Sequence, residues 1–254
     1  MDNIKEFKYK YETHLHTKES SACGKNSAIE MMMAAKENGY TGTFITNHAW
    51  GGNTSIDRSL EWGEWVTEFS KCYYEAKNWG DVNDFTVMFG YESGFNGTEF
   101  LIYGLTPEWM IAHPELHDAT IEEQYDIVHK GGGIVVHAHP FREEFYIPEV
   151  RLFPEHIDAV EAVNATHSSH LSTSHNDPEF DVKAIEYARK LNKPMSAGSD
   201  VHTTLFLGGG IMTKEKLNNV KDYIDLLLSD EMYLLTNGDT IYDRFGNVVA
   251  KNQD

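Results

Sequence analysis

Short strand-like runs alternate with helix-like runs along almost the whole chain, and this alternation limits the possible folds more than any other feature. The strand-like runs lie at residues 7–14, 43–47, 85–89, 100–103, 134–138, 157–163, 194–198 and 232–236. Such an alternation is typical of a parallel α/β layer or barrel. We therefore predict a single α/β domain over residues 1–254, with a C-terminal hairpin or tail at 241–254.

Capping residues mark where several of the predicted helices begin. Ser27 with Glu30, and Thr120 with Glu123, have the spacing of a capping box, in which each residue satisfies a free backbone N–H of the first turn. Apolar side chains recur at helical spacing over residues 60–79. Further helices are predicted over residues 179–191 and 214–228.

The net charge disfavours nucleic-acid and membrane partners, and the hydropathy shows neither a signal core nor a membrane span. The chain has 254 residues with 40 Asp and Glu against 21 Lys and Arg, a net charge of −19, which disfavours duplex nucleic acid and anionic membranes. The N-terminus has no hydrophobic signal core, and no apolar run approaches the roughly 20 residues that span a bilayer. We expect a cytoplasmic protein in which Cys23 and Cys72 are free thiols.

Metal-ligand side chains cluster at the C-terminal ends of the predicted strands. These residues are His14, His16, His48, Glu92, His139, His167, Asp200 and His202. A closed parallel barrel gathers all its strand C-termini on one face, so residues distant in sequence would meet there. Side chains in a His-x-His pair on a strand also point to the same side. Imidazoles mixed with carboxylates, without paired cysteines, favour Zn²⁺, Mn²⁺ or Fe²⁺.

The remaining histidines carry weaker expectations. His137 shares its face with His139 but lies deeper in its strand, and we interpret it as a core residue rather than a ligand. His170 and His175 lie in a loop that could reach the cavity, and the sequence does not decide their role. The others are expected to be solvated or locally hydrogen-bonded: His113, His117, His129 and His156.

Five motifs together resemble the successive motifs of the PHP (polymerase and histidinol phosphatase) superfamily. They are Thr13-His-Leu-His-Thr17, Thr46-Asn-His48, Gly90-Tyr-Glu92, His137-Ala-His-Pro140 and Gly198-Ser-Asp-Val-His202. Their order and spacing agree over nearly the whole chain. The resemblance implies a distorted (β/α)7 barrel, a cluster of up to three divalent metal ions (Zn, Fe or Mn), and phosphoester hydrolysis.

The resemblance also implies a ligand for each metal. His14, His16, Glu92 and Asp200 would hold the first, Glu92 would bridge to a second that also takes His139, and His48 and His202 would serve a third. His167 would bind metal or protonate the leaving group. The chain departs from the family pattern at three positions: the loop of residues 18–25 offers only Glu19 or Cys23 for an expected Asp or His, residues 99–104 lack an expected His, and Asn47 replaces an Asp.

We therefore expect a metal-dependent phosphoesterase that acts on a small phosphorylated metabolite or nucleotide. A metal-activated hydroxide would be the nucleophile. Asp200, Glu92, His167 and Arg142 are the predicted catalytic residues, with Arg142 as a phosphate contact and Lys18 as a weaker candidate for the same role. Two alternatives stay open: a metal hydrolase of an amide or lactone, and a non-catalytic or sensory metal-binding module.

Overall fold

The computed structural model describes residues 4–251 and contains eleven strands within that range. They are β1 Tyr9–Glu12, β2 Gly42–Ile45, β3 Thr86–Phe95, β4 Thr98–Tyr103, β5 Ile134–His137, β6 Ala159–Asn164, β7 Met195–Gly198, β8 Gly209–Thr213, β9 Leu234–Asn237, β10 Thr240–Asp243 and β11 Val248–Lys251. Eight of these were predicted, and the last two form the predicted C-terminal hairpin.

Seven α-helices connect the strands of the described chain. They are α1 Ala28–Glu37, α2 Trp62–Val82, α3 Pro107–Ala112, α4 Ile121–Lys130, α5 Ala165–Ser168, α6 Glu179–Leu191 and α7 Val220–Leu228. Both predicted capping boxes are present, at Ser27 before α1 and at Thr120 before α4. No described helix is both long and apolar enough to cross a membrane.

All strands belong to one mixed sheet, in the order β11-β10-β9-β8-β1-β2-β3-β4-β5-β6-β7. The strands β1, β2 and β3 pair in parallel, as do β5, β6 and β7. The prediction of a parallel layer is wrong at β4, which is antiparallel to both of its neighbours. The cause is a two-residue turn between β3 and β4, where Asn96 (φ 51°) and Gly97 (φ 87°) adopt the positive φ angles of a tight hairpin.

The sheet curls until its β7 end returns to β1. The Thr13 hydroxyl donates a hydrogen bond to the Ala197 carbonyl at 2.7 Å, and Leu15 forms a parallel bridge with Val201. These contacts bring the C-terminal ends of β1 and β7 side by side. The architecture is therefore a mixed α/β fold with a curled sheet.

Three elements escaped the sequence prediction, and one helix begins later than expected. The last helix was predicted from Lys214, but it begins at Val220 because the Asn219 side chain accepts a hydrogen bond from the Asp222 N–H and caps it there. The strand β8 and the short helices α3 and α5 lie in segments that the sequence analysis left unassigned.

The main apolar core packs between the sheet and its helices. Its fully buried aromatic side chains include Phe44, Tyr103 and Tyr223, whose rings contact one another with centroids 4.8–5.1 Å apart. Buried polar residues are concentrated instead at the strand ends, where His14, His16 and Asp200 are at most 3% exposed. The apolar core and the polar strand ends are therefore separate, and the side chains that could bind a ligand lie at one end of the curled sheet.

Candidate metal centre

Seven of the eight predicted metal ligands converge at the strand ends. Their donor atoms form four groups, each within 4.8 Å: His14, His16 and Glu92; His14, His139 and Asp200; His48, Glu92 and Glu99; and His16, Cys23, His48 and His202. Since members are shared between groups, the groups form one continuous cluster. His167 is the predicted ligand that the structure does not bring into it.

The His-x-His pair points both rings into the cluster, as strand alternation predicts. The two Nε2 atoms of His14 and His16 lie 3.1 Å apart, and each is 3.1–3.5 Å from Asp200 Oδ1. The Nδ1 atoms face away and are held by other side chains, His14 by Glu161 at 2.9 Å and His16 by Ser21 at 3.1 Å. Because its Nδ1 atom is hydrogen-bonded, each ring is held with Nε2 toward the cluster. The histidine ligands of metal sites are commonly oriented by such a hydrogen bond to the other ring nitrogen.

Glu92 lies at the centre of the cluster. Its carboxylate is 3.1 Å from His139 Nε2 and 2.9 Å from His48 Nδ1. Burial would raise the pKa of Glu92, but His48 and His14 hold that pKa well below its usual range. Within the described residues, Glu92 Oε2 and His48 Nδ1 are buried without a well-aligned hydrogen bond. Buried oxygen and nitrogen atoms that have no hydrogen-bond partner are suited to bind a cation.

Glu99, which lies in the segment of residues 99–104 that lacks the expected histidine, supplies a carboxylate to the cluster. It lies at the start of β4, opposite Gly94, and therefore at the same edge of the sheet as the end of β3. Burial and the neighbouring Glu92 carboxylate raise the pKa of Glu99 to about 8. Two carboxylates held so close need a positive charge between them to be ionised together.

Asp200 is paired with Arg142 as well as with the histidines. The Arg142 Nη2 atom lies 2.7 Å from the Asp200 carboxylate, and both side chains are 4% exposed. Burial would raise the pKa of Asp200, but His14 and Arg142 hold it well below its usual range. Asp200 (φ 52°) and His139 (φ 27°) both have a left-handed backbone, a strain that is found most often at functional sites.

His167 contacts Arg142 instead of the cluster. Its Nδ1 lies 2.8 Å from Asp181, and its Nε2 accepts a hydrogen bond from Arg142 Nε at 3.1 Å. Thr166 accepts a second bond from the same guanidinium at 3.2 Å. Asp181, His167 and Thr166 therefore orient Arg142, and this placement does not support the expectation of a metal ligand at His167.

The loop of residues 18–25 supplies Cys23 rather than Glu19. The Glu19 carboxylate accepts from the Ala28 N–H at the start of α1. Lys18, the weaker phosphate candidate, is exposed and pairs with Glu30 at 4.0 Å. Asn47 braces the loop, since its side-chain oxygen accepts from the Thr17 N–H and the Ser21 hydroxyl.

The other histidines lie outside the four donor groups. His137 is buried against Phe100 with ring centroids 4.9 Å apart, and burial lowers its pKa to about 3, as suits a core residue. His175 lines the cavity beside the cluster and contacts Glu144, whereas His170 is exposed and contacts Asp239. Among the remaining four, three contact nearby carboxylates: His113, His117 and His129.

An open cavity of about 710 Å³ lies over the cluster. Its lining includes Glu92, Glu99, His139 and Asp200. Arg142 and Lys25 also line it and supply positive charge. The arrangement can hold divalent cations against several carboxylates and can place an anionic group of a substrate beside a guanidinium.

Comparison with known proteins supports the family resemblance. Residues 180–227 match a family model described as PHP-associated. No curated protein matches the chain. The chain is similar in fold to a two-domain protein of Bacteroides vulgatus that contains a predicted PHP-like metal-dependent phosphoesterase, with a TM-score of 0.68 and 15% identity. That match covers 92% of this chain and 66% of the other, so this chain spans just under two thirds of that protein.

Two further structures share the fold at a lower TM-score. A Bifidobacterium adolescentis protein assigned as a metal-dependent phosphoesterase has a TM-score of 0.52 and 14% identity, with 86% of this chain and 95% of the other covered. An amidohydrolase from Chromobacterium violaceum, solved with bound sulfate and no metal, also has a TM-score of 0.52 and 14% identity, with 76% and 87% covered. At these identities the likeness concerns the fold.

Proposed function

We propose that this chain is a PHP superfamily protein and a metal-dependent phosphoesterase acting on a small phosphorylated metabolite or nucleotide, a proposal that the partial family match and the likeness in fold support. The observation that carries the proposal is the continuous cluster of histidines and carboxylates at the strand ends, with the buried Arg142 at its edge. We also assign the curled sheet to the distorted (β/α)7 barrel that the resemblance implies.

The residues of the cluster fit divalent metal ions. The carboxylates of Glu92 and Glu99 lie close together, and a buried oxygen of Glu92 and a buried nitrogen of His48 have no well-aligned hydrogen bond. His14, His16, Glu92 and Asp200 would hold one ion, and His139, Glu92 and Glu99 a second. When bound, such ions supply an activated water as nucleophile and offset charge on the phosphoryl oxygens.

Arg142 would bind the phosphoryl group of the substrate. Its guanidinium lines the cavity. Its Nε and Nη2 atoms are engaged by His167, Thr166 and Asp200, so Nη1 is the nitrogen left to donate to phosphate oxygens. His167 and Thr166 hold the guanidinium in place, so His167 is a positioning residue in this proposal and not a ligand. The Asp181 carboxylate fixes the proton of His167 on Nδ1, which leaves Nε2 to accept from Arg142.

The net charge of −19 is compatible with an anionic substrate. Local charge in the cavity decides binding, and Arg142, Lys25 and several dications would reverse the sign of the potential there. The acidic exterior still disfavours a long phosphate backbone. A single phosphate group on a small molecule therefore suits this cavity best.

Hydrolysis of an amide is the second candidate, because the same fold occurs in the Chromobacterium violaceum amidohydrolase. Parallel assays of phosphomonoesters, phosphodiesters and amides with metal-loaded and chelator-treated protein separate the two. We expect metal-dependent phosphate release that Asp200→Asn abolishes. Amide cleavage without phosphate release would overturn the proposal, and metal binding without turnover on any class would favour a sensory module.

A further inference from the structure

Cys23 lies beside three imidazoles at the mouth of the cavity. Its sulfur and the donor nitrogens of His16, His48 and His202 all lie within 4.8 Å of one another. The ring of His16 contacts those of His48 and His202, with centroids 4.4 Å and 4.7 Å away. The group of His16, Cys23, His48 and His202 is called the thiol group below.

The loop that carries Cys23 is fixed rather than free. The Lys25 N–H donates to the His202 carbonyl at 2.8 Å, and the Ala22 N–H donates to the Asn53 carbonyl at 2.9 Å. A Cβ atom on Gly24 would lie only 2.4 Å from the Thr17 carbonyl carbon, so the loop backbone packs too closely for any other residue. These constraints hold the Cys23 sulfur toward the histidines.

The two cysteines of the chain have different surroundings. Cys23 is half-buried and lines the cavity, and its sulfur lies beside the imidazoles of His202 and His48. Cys72 is buried beside the Ser20 and Thr17 hydroxyls, and burial raises its pKa. Cys23 alone combines access to solvent with neighbouring imidazoles.

We propose that Cys23 is a thiolate ligand and that the thiol group is a zinc-selective site beside the carboxylate-rich part of the cluster. The inference rests on the metal binding of the proposed function but goes beyond it, because it assigns a sulfur ligand and different metals to the two ends of the cluster. On binding, the Cys23 thiol releases its proton to solvent and its sulfur donates an electron pair to Zn²⁺.

The donor chemistry of the two ends supports this division. One thiolate with imidazoles is a tetrahedral donor set typical of zinc. The other end combines the imidazoles of His14 and His139 with three carboxylates and has no sulfur, and carboxylate oxygens suit harder ions such as Mn²⁺. His16 and His48 face both ends, since His16 Nε2 lies 3.1 Å from Asp200 Oδ1 and His48 Nδ1 lies 2.9 Å from Glu92. Cys23 and His202 are therefore the distinctive ligands of the thiol group.

The test uses the full chain, freed of metal and then loaded with Co²⁺, which gives a sulfur-to-cobalt charge-transfer absorption only when a thiolate binds it. We expect this absorption in the wild type and in the control Cys72→Ser, and its loss in Cys23→Ser and Cys23→Asp. In zinc with a large excess of manganese, Cys23→Asp should lose about one Zn²⁺ per chain relative to the wild type. If the Cys23→Ser variant kept the sulfur-to-cobalt absorption, the proposal would be overturned.

Alkylation of the wild type gives a second readout that needs no variant. Zn²⁺ should protect Cys23 from iodoacetamide, and equal modification with and without Zn²⁺ would overturn the sulfur ligand. Cobalt binding without the absorption, accompanied by metal-dependent phosphate release, would refute this inference and leave the proposed function intact. The absorption without hydrolysis of any substrate would support Cys23 as a ligand and refute the proposed function.

Discussion

Glu161 should control metal affinity without contacting a metal. This carboxylate lies on β6 and is fully enclosed. Its Oε1 lies 2.9 Å from His14 Nδ1, while Oε2 accepts from the His139 N–H at 3.0 Å and from the Asn164 side-chain amide at 3.1 Å. It therefore keeps the proton of His14 on Nδ1 and leaves Nε2 free to face the cluster. Glu161→Gln keeps the shape of the side chain but replaces one of its two acceptor oxygens with an NH₂ group.

The glutamine has two possible orientations, and their costs differ. If its oxygen stays near His14, its NH₂ group meets the donors of His139 and Asn164, and two buried hydrogen bonds are lost at a total of roughly 2–6 kcal/mol. If it flips, both bonds remain, but His14 must accept at Nδ1 and carry its proton on Nε2. Such a loss of ring orientation and basicity costs about 10–100-fold in metal affinity, or about 1.4–2.8 kcal/mol.

The flipped orientation costs less, so we expect Glu161→Gln to fold and to bind metal about 10–100-fold more weakly. Competition with a coloured chelator measures this affinity, and circular dichroism checks the fold. Glu186→Gln is the matched control, because Glu186 is exposed on α6 and the same charge is removed. An unchanged metal affinity in Glu161→Gln would refute the reasoning about the His14 tautomer.

Three other perturbations test the site. Asp200→Asn should abolish phosphate release by removing a ligand of the central ion, and a folded variant that turns over at the wild-type rate would rule out this assignment. Arg142→Lys should raise KM for a phosphomonoester by about tenfold or more, because a flexible ammonium replaces the planar guanidinium that His167 and Thr166 hold in place, whereas an unchanged KM in steady-state assays would contradict phosphate binding by Arg142. Metal loading at about 100 times Kd should stabilise the protein by roughly 2.7 kcal/mol, and thermal melts that do not shift after chelation would contradict a built metal site.

The sequence predicts which side chains meet at the strand ends, for a geometric reason. His14, His16, His139 and Asp200 follow strands whose alternation and direction can be predicted, and parallel strands place their ends on one face. The structure brings all four together. Their residue types are those that divalent metal sites use.

Glu99 was not among the predicted ligands, because those were taken from the ends of parallel strands. Glu99 lies at the beginning of β4, which runs antiparallel after a hairpin and so returns to the same edge. The signal was available, since Asn96-Gly97 between two strand-like runs is the strongest short hairpin signal. A hairpin there would have placed Glu99 opposite Gly94, beside Glu92.

Glu161 and His167 show two further limits of pattern reasoning. A charged residue within the apolar run of β6 indicates a buried polar contact, but the partner of Glu161 is 147 positions away and no local pattern identifies it. His167 was expected at a strand end, but the chain turns into α5 directly after Asn164, and this turn directs the ring to Arg142. Such contacts depend on how distant elements pack.

The metal content of the wild-type protein decides whether the strand-end cluster is a metal site. Inductively coupled plasma mass spectrometry of untagged protein, purified without chelators and again after reconstitution, counts the ions that the cluster retains. The account predicts about two or three Zn, Fe or Mn ions per chain. A chain that stays empty after reconstitution would contradict a metal-dependent hydrolase at this site.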